Sequence, residues 1–313
     1  MRAPERKSRH SLSAHLLLIA VTLVWGCTFP LVKAALQGVS PLLFNFLRMV
    51  IASSVLFAVN ASALRDLTRN QLKLCALAGL FLALGYELQT TGLARTAPSK
   101  SAFLTGLVVV FVPLLSALPG IRSASTPRPH LTAYCGAGVA FLGIVFLTSD
   151  PGAGLALLAG MHLGEWLTLG CALAFAVHLL ILARLASRIP ARILGTFQIL
   201  FAACAMLLFI PLDRPLRLHW TPTVITALAV TSVLATAAAF TIQSWAQQHL
   251  PASHTALIFT LEPVFAWLTS LLLLGERLGS RALLGAALIL LGIILAELGP
   301  TVLSAAGILP VEP

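Results

Sequence analysis

The sequence predicts an all-α polytopic membrane protein whose ten transmembrane helices form two inverted five-helix repeats. Three observations carry this prediction. Hydrophobic residues make up 58% of the 313-residue chain and charged residues only 10%. Ten apolar stretches are long enough to cross a bilayer, and the first half of the chain resembles the second at a nearly constant offset. A soluble domain has about 25% charged residues, so lipid is the expected solvent.

The ten apolar stretches each approach the roughly 20 residues that a spanning helix needs. Runs such as 16–21 are apolar on every face, which indicates helices rather than the alternating strands of a membrane barrel. The repeats are predicted at 14–149 and 163–298, with an N-terminal tail at 1–13 and a C-terminal tail at 299–313. The predicted spans are 14–35, 41–60, 72–92, 97–119, 131–149, 163–184, 192–211, 222–246, 253–274 and 281–298.

The internal repeat emerges when the first half is shifted by about 150 residues. Each half has five spans, an odd number, so the second half must enter the membrane from the opposite side. Secondary transporters commonly use this inverted plan, with the substrate site near the midplane where the halves meet. The matched positions are Trp25 with Phe175, Thr28 with His178, Arg48 with Gln198, Tyr86 with Phe240, Gln89 with Gln243, Pro113 with Pro263, Gly136 with Gly285 and Gly143 with Gly292.

The net charge of +10 is spread over short loops and forms no patch, which argues against nucleic-acid binding. When the N-terminus is placed inside, the cytoplasmic segments hold more Lys and Arg than the outer ones, as the positive-inside rule requires. Both termini are therefore predicted to be cytoplasmic. The five cysteines are widely spaced within predicted spans, and the sequence predicts neither a metal site nor a cofactor.

Three prolines, Pro30, Pro113 and Pro263, fall inside predicted spans and are expected to break those helices. Each lacks an N–H and frees the carbonyl group four residues earlier. Matched, proline-interrupted spans in the two halves point to a transporter site, and a kink that serves packing alone is the alternative. The fourth and ninth spans are therefore expected to line a cavity.

Three charged residues lie well inside predicted spans, away from their ends, where charge is costly and an interior position is expected. Glu262 is a candidate proton carrier, because burial penalises the charged form of a carboxyl group; a structural acid bonded to backbone or to Arg48 is the alternative. Glu87 is a second coupling candidate, with local pairing to Lys100 or Arg95 as its alternative. Arg48 either binds a substrate carboxylate or holds a helix in place.

Six aromatic and polar residues at repeat-related positions are candidates for substrate binding: Trp25, Thr28, Gln89, Phe175, His178 and Gln243. Trp25 and Thr28 are about one helical turn apart, as are Phe175 and His178, so each pair shares a helix face. Such a set suits a cavity that binds a small polar organic molecule. Interhelical hydrogen bonds and a buried neutral histidine are the structural alternatives.

Three further charged residues, Lys33, Glu165 and Glu276, lie near the ends of predicted spans. Long charged side chains at such positions reach the interface by snorkelling, so no site is predicted from them.

Several motifs resemble the EamA-type repeats of the drug/metabolite transporter superfamily, over roughly residues 14–298. In the second half they are Leu261-Glu262-Pro263-Val264-Phe265-Ala266, then Gly275-Glu276, then Gly285 to Gly292. In the first half they are Trp25-Gly26 with Phe29-Pro30, Arg48, and residues 101–106 with Pro113. The first half has residues 118–122 where the second has the Gly-Glu pair, so this motif occurs in one copy.

The resemblance implies a ten-helix carrier in a bacterial cytoplasmic membrane, working by alternating access. Many members export amino acids or related metabolites, which is the leading hypothesis; a drug, sugar or nucleotide-sugar carrier is the alternative. The expected partners are a small-molecule substrate, the lipid bilayer and protons as a candidate coupling ion, with a monomer expected and an oligomer left open. An enzyme or channel is a weaker alternative, since the sequence has no HExxH motif and no visible selectivity loop.

Overall fold

The computed structural model describes residues 3–61, 68–116, 118, 130–148, 161–186, 188–246, 250 and 258–305. Within these ranges the protein is helical, and its only strand-like feature is one bridge between Val39 and Leu218. Seven helical segments are long and apolar enough to cross a membrane: Leu12–Ala35, Pro41–Asn60, Arg69–Leu93, Pro98–Ser116, Leu131–Thr148, Leu163–Leu185 and Pro222–Ala246. Three shorter apolar helices, Ala191–Leu207, Glu262–Leu274 and Ser280–Ala296, coincide with the other predicted spans. The all-helical, membrane-type fold is confirmed.

The helices are numbered here in chain order. They are α1 (Ala3–Ala35), α2 (Pro41–Asn60), α3 (Arg69–Leu93), α4 (Pro98–Gly106), α5 (Val108–Ser116), α6 (Leu131–Thr148), α7 (Leu163–Ala186), α8 (Ala191–Leu207), α9 (Pro222–Ala229), α10 (Ala239–Ala246), α11 (Glu262–Leu274) and α12 (Ser280–Ala305). A π-helical segment, Val230–Ala238, joins α9 to α10.

Local sequence signals set several helix ends. Helices α2, α4 and α9 each have proline in the first turn, where the missing N–H has no intrahelical partner to lose. Thr68 and Gln71 form a capping box at the start of α3, each side chain bonding the other's backbone N–H. Gly275 ends α11 with φ of 66°, a left-handed conformation that favours glycine.

Some boundaries differ from those predicted. Helix α1 already begins at Ala3 and α12 continues to Ala305, so helix extends into both predicted tails. Pro30 lies inside the uninterrupted α1, and the predicted helix break there is wrong, because a proline ring can kink a long helix without ending it. The start of the predicted ninth span, 253–257, lies outside the described residues, as do the loops 119–129 and 149–160.

The fourth and ninth spans are interrupted. The fourth divides at Leu107, between α4 and α5, and Pro113 lies six residues further on, inside α5. The ninth is interrupted at residues 260–261, and Pro263 follows within the first turn of α11. Proline therefore lies near both interruptions but at neither of them.

The main helix contacts join the two halves of the chain. Helix α1 packs on α11 and α10, and α7 packs on α3, α4 and α5. Helix α2 packs on α8 and on the π-helical segment, and α3 packs on α8. Helix α6 packs antiparallel on α12, with Gly136 facing Gly292 and Gly143 facing Gly285. A Cβ added to Gly143 would lie 2.7 Å from the Gly285 carbonyl oxygen, so these helices meet backbone to backbone.

Large apolar side chains cover much of the outside of the helices. Soluble monomers rarely expose contiguous apolar patches of this kind, whereas lipid tails solvate them. Examples at more than 50% exposure are Leu16, Leu142, Leu208, Leu272 and Leu291.

Candidate functional site

A cavity of about 100 Å³ lies between the helices, where both interrupted spans reach it. Thr105, Gly106 and Val108 line it on either side of the break at Leu107. Phe259 and Glu262 line it on either side of the break at 260–261. An interrupted helix places backbone and polar groups at a depth where a regular helix would present only side chains.

Aromatic rings form the walls of this cavity. Trp25 lies against Phe240 with ring centroids 5.8 Å apart, and Tyr86 lies against Phe175 at 5.2 Å. Since Trp25 matches Phe175 and Tyr86 matches Phe240 in the internal repeat, the two contacts correspond to each other across the halves. Phe259 adds a further ring, 5.2 Å from that of Trp25.

All six substrate-binding candidates line this cavity: Trp25, Thr28, Gln89, Phe175, His178 and Gln243. Gln89 donates a long hydrogen bond of 3.4 Å from Nε2 to Thr105 Oγ1. The Oε1 atom of Gln243 is buried without a hydrogen-bond partner among the described residues. The structure thus brings the six residues together, and their role in binding a substrate stays a prediction.

His178 is buried, and its Nε2 lies 2.9 Å from Gln198 Oε1. Gln198 is the residue that matches Arg48 in the repeat. This bond fixes the ring edge-on to Phe240, with centroids 6.2 Å apart. The imidazole is therefore held by one interhelical bond while it lines the cavity.

Glu262 lies at the first turn of α11, is half-buried and lines the cavity. Its carboxyl group makes no hydrogen bond or ion pair to any residue in the described part of the chain, neither to backbone nor to Arg48. Helix α1 approaches this turn closely, because a Cβ on Gly26 would lie 2.9 Å from the Glu262 carbonyl oxygen. The acid is thus fixed by its backbone and open to the cavity.

Arg48 also lines the cavity and is 4% exposed. Its Nε donates to Thr236 Oγ1 at 2.7 Å, and its Nη2 donates to Tyr86 Oη at 3.1 Å and to the Ala235 carbonyl oxygen at 3.4 Å. The guanidinium carbon lies 4.2 Å from the centroid of the Tyr86 ring, a cation–π contact.

The π-helical segment is the part of the site that the sequence does not predict. Trp25 Nε1 donates to the Ala235 carbonyl oxygen at 2.8 Å, the carbonyl that Arg48 also uses. Thr236 Oγ1 donates to the carbonyl of Thr231, five residues earlier, which follows the π spacing. The repeat offset rises from 150 at Arg48 to 154 at Tyr86, but it is already 153 between the helix starts Arg69 and Pro222, so it does not locate this segment.

Glu87 is buried but does not line the cavity, unlike Tyr86 and Gln89 on the same helix. Its Oε2 accepts a hydrogen bond of 2.9 Å from Asn45 Nδ2, and Asn45 Oδ1 in turn accepts one from Thr90. The predicted alternative of pairing with Lys100 or Arg95 is therefore wrong: an amide on the neighbouring helix α2 holds this acid instead.

The charged residues near the span ends are bonded rather than snorkelling. Lys33 Nζ donates to the carbonyl oxygens of Leu93, Ala94 and Thr96 at 2.8 to 3.0 Å, which caps the C-terminus of α3. Glu165 is 3% exposed and accepts hydrogen bonds from Thr96 Oγ1 and from the backbone N–H of His162, just before α7 begins. Lys100 Nζ lies 4.0 Å from its Oε1 atom.

Glu276 follows the left-handed Gly275 and turns back onto the first turn of α4. Its carboxylate accepts hydrogen bonds from the backbone N–H and the hydroxyl of Ser99. A helix N-terminus favours a negative group at this position. This contact, called here the Ser99–Glu276 latch, joins α4 in the first half to the end of α11 in the second.

Among the described residues, no group of three His, Cys, Asp or Glu side chains could hold a metal ion. The polar groups that the described residues bring to the cavity are amides, hydroxyls, the Trp25 indole N–H, one guanidinium, one imidazole and one carboxyl group. Such a set can hydrogen-bond a small polar molecule, while the aromatic rings enclose its apolar part.

Comparison with known proteins gives a consistent result. The EamA-like transporter family matches the chain twice, at residues 12–149 and 162–298. An uncharacterized transporter from Archaeoglobus fulgidus is 33% identical over 287 residues, which cover 92% of this chain and 86% of that protein. The uncharacterized transporter YoaV from Bacillus subtilis is 25% identical over 282 residues, covering 88% and 94%.

One crystal structure of another protein has the same fold, with a TM-score of 0.66. The two sequences are 21% identical, and the match covers 93% of this chain and 98% of that one. The fold, the two family matches and the similarity to whole transporter chains agree. The chain belongs to the EamA-like transporter family and is a small-molecule transporter of the membrane.

Proposed function

We propose that this protein exports amino acids or related small metabolites by alternating access, with the central cavity as its substrate site. One observation carries the proposal: four pairs of repeat-related residues line a single cavity beside both interrupted spans. Matched positions from two halves surround the substrate in transporters built from inverted repeats. The pairs are Trp25 with Phe175, Thr28 with His178, Tyr86 with Phe240 and Gln89 with Gln243.

The two family matches correspond, on this proposal, to two five-helix halves of opposite orientation, ten spans in all. The glycine contacts support it. If each glycine is replaced by its match in the other half, the contact between Gly136 and Gly292 becomes a contact between Gly285 and Gly143. That second contact is also present. The same exchange converts the packing of α1 on α11 into that of α7 on α4 and α5. Such correspondence is expected of a twofold axis lying in the membrane plane.

Alternating access requires that the halves separate at one end while they stay closed at the other. The Ser99–Glu276 latch and the bond from Thr96 to Glu165 both join opposite halves at the same end of the bundle. With both termini cytoplasmic, as the charge bias favours, this end faces outward. The described conformation is then closed on its outer side.

The chemistry of the cavity suits an amino acid. It combines aromatic walls with amides, one guanidinium and one carboxyl group, which match a molecule that has an apolar part and a polar, charged end. Glu262 is proposed to carry the coupling proton, because it faces the cavity and has no partner among the described residues. The proposed location is the bacterial cytoplasmic membrane, and the proposed working unit is a monomer.

Uptake by the purified protein in liposomes tests this function. The panel contains labelled amino acids, a sugar, a nucleotide sugar and a hydrophobic drug, each with and without a pH gradient, and protein-free liposomes are the control. We expect saturable uptake of one or more amino acids that responds to the gradient. Saturable uptake of only the sugars or the drug would replace the amino-acid proposal with the alternative carrier class.

A further inference from the structure

We infer that the substrate presents an anionic group to Arg48, and that this arginine selects for acids over analogues in which an uncharged amide replaces the carboxylate. The inference rests on the proposed function, because it concerns the same cavity. It rests separately on how the guanidinium is held, what surrounds it and which of its nitrogen atoms is left without a partner.

Two of the three nitrogen atoms of Arg48 are committed to the protein. Nε donates to Thr236, and Nη2 is divided between Tyr86 and the Ala235 carbonyl. Nη1 makes no hydrogen bond to any residue that the structure describes. Since Arg48 lines the cavity, the two N–H groups of Nη1 are the ones left for a bound molecule.

The groups that hold Arg48 are themselves fixed. Thr236 donates its hydroxyl proton to the Thr231 carbonyl at 2.7 Å, which turns an oxygen lone pair towards Arg48 Nε. Ala235 lies in the π-helical segment, and its carbonyl also receives the indole N–H of Trp25. The guanidinium is therefore oriented before a substrate arrives, which lowers the entropic cost of binding.

No carboxylate lies within 4.0 Å of Arg48 among the described side chains. The acid in the same cavity, Glu262, makes no ion pair with it, and Glu87 is bonded to Asn45 instead. A buried cation with no counter-charge is costly in a membrane protein, and such a residue commonly marks a substrate path. A structural arginine would instead be expected to use its remaining donors on protein acceptors.

A carboxylate supplies what is missing. Arg binds carboxylate and phosphate groups through charge-assisted hydrogen bonds. Arg48 is the one Arg or Lys side chain among the described residues that lines the cavity, and one guanidinium balances one negative charge. A singly charged carboxylate therefore fits better than a phosphate ester with its second charge. Amides of the same shape lack the carboxylate and would leave the guanidinium unpaired.

Paired ligands test this directly on the full-length protein in detergent. The probes are L-alanine, L-leucine and L-phenylalanine, the amide of each, and a phosphate monoester, with binding followed by calorimetry and thermal stabilisation. We expect at least one of the acids to bind roughly tenfold to a hundredfold more tightly than its amide. Arg48→Gln is expected to abolish this preference, and Arg48→Lys to retain part of it.

The control variant is Arg95→Gln, which removes an exposed arginine outside the cavity and should leave the preference unchanged. If Arg48→Gln does not fold, Thr236→Val keeps the guanidinium and removes the acceptor that holds Nε. We expect Thr236→Val to weaken acid binding and to leave amide binding as it was. Monodispersity on size exclusion reports folding for every variant.

Three results would overturn the inference: amides that bind as tightly as acids, an Arg48→Gln variant that still prefers acids, or an absence of binding by every acid. Tighter binding of the phosphate monoester than of every carboxylate would overturn the carboxylate assignment. Acids that bind through Arg48 without crossing liposome membranes would refute the transport proposal and leave the inference standing. Transport of the amides at equal rates by wild type and Arg48→Gln would refute the inference and leave the transport proposal standing.

Discussion

Gly136 and Gly292 face each other across the antiparallel pair α6 and α12, so closely that a Cβ on either would collide with the backbone of the other helix. Seven residues along each helix, Gly143 and Gly285 repeat the contact. Small residues that let helix backbones approach are a common means of association in membranes, where apolar side chains gain little from leaving lipid.

Replacing Gly136 with valine should therefore destabilise the protein by about 1–3 kcal/mol, the usual cost of overpacking. The matched control is Gly138→Val in the same helix, where no atom lies within 4 Å of an added Cβ. Thermal unfolding of the purified variants in detergent measures both. Equal stability of the two variants would show that the glycine crossing does not hold these helices together.

The ring of Phe175 lies where a Cβ on Gly85 would be, so Gly85→Ala must displace the ring. Because Phe175 lines the cavity and packs on Tyr86, we expect the initial rate of transport to fall roughly tenfold, the effect of one methylene in an apolar pocket. Gly195→Ala, with nothing within 4 Å, is the control. Unchanged transport by a correctly folded Gly85→Ala variant would remove Phe175 from the substrate path.

The repeat predicts which residues meet at the cavity, because matched positions of two halves related by a twofold axis are expected to lie around that axis. Trp25, Phe175, Gln89 and Gln243 are identified in this way without any structure. The π-helical segment around Ala235 is not, since hydropathy indicates that a segment spans the membrane but not whether its hydrogen bonds run to the fourth or the fifth residue. Its contacts with Arg48 and Trp25, through the Ala235 carbonyl oxygen, can be identified only once the fold is known.

The sequence alone also does not predict which groups pair with buried charged residues. Glu87 pairs with Asn45, a residue on the preceding helix, rather than with a nearby lysine or arginine. Glu165 and Glu276 are near span ends in sequence, yet they bond residues of the opposite half. Position in a span predicts the cost of a charge, whereas the packing of helices decides which group offsets that cost.

Reporter fusions test the inverted arrangement. If the halves have opposite orientations and both termini are cytoplasmic, a fusion at residue 155 should be external and one at 188 internal. A junction after residue 313, at the C-terminus, is the control and should read as internal. The opposite reading at either 155 or 188 would rule out the proposed topology.

Glu262→Gln tests proton coupling, because an amide of the same shape cannot carry a proton. We expect pH-driven uptake to be lost while exchange of substrate across the membrane continues, since exchange needs no net proton movement. Glu87→Gln is the matched control, as Glu87 lies outside the cavity and its Oε2 contact with Asn45 can be kept by an amide oxygen. Wild-type pH dependence in Glu262→Gln, together with its loss in Glu87→Gln, would assign coupling to Glu87.

Alternating access itself is tested most directly at the Ser99–Glu276 latch. The variant that combines Ser99→Cys with Glu276→Cys is reconstituted in liposomes and joined by oxidation or by a short thiol-specific linker, with each single variant as a control. If the outer end must open in every cycle, the joined protein should stop transporting and should recover when the link is reduced. Transport at an undiminished rate by fully joined protein would contradict the account.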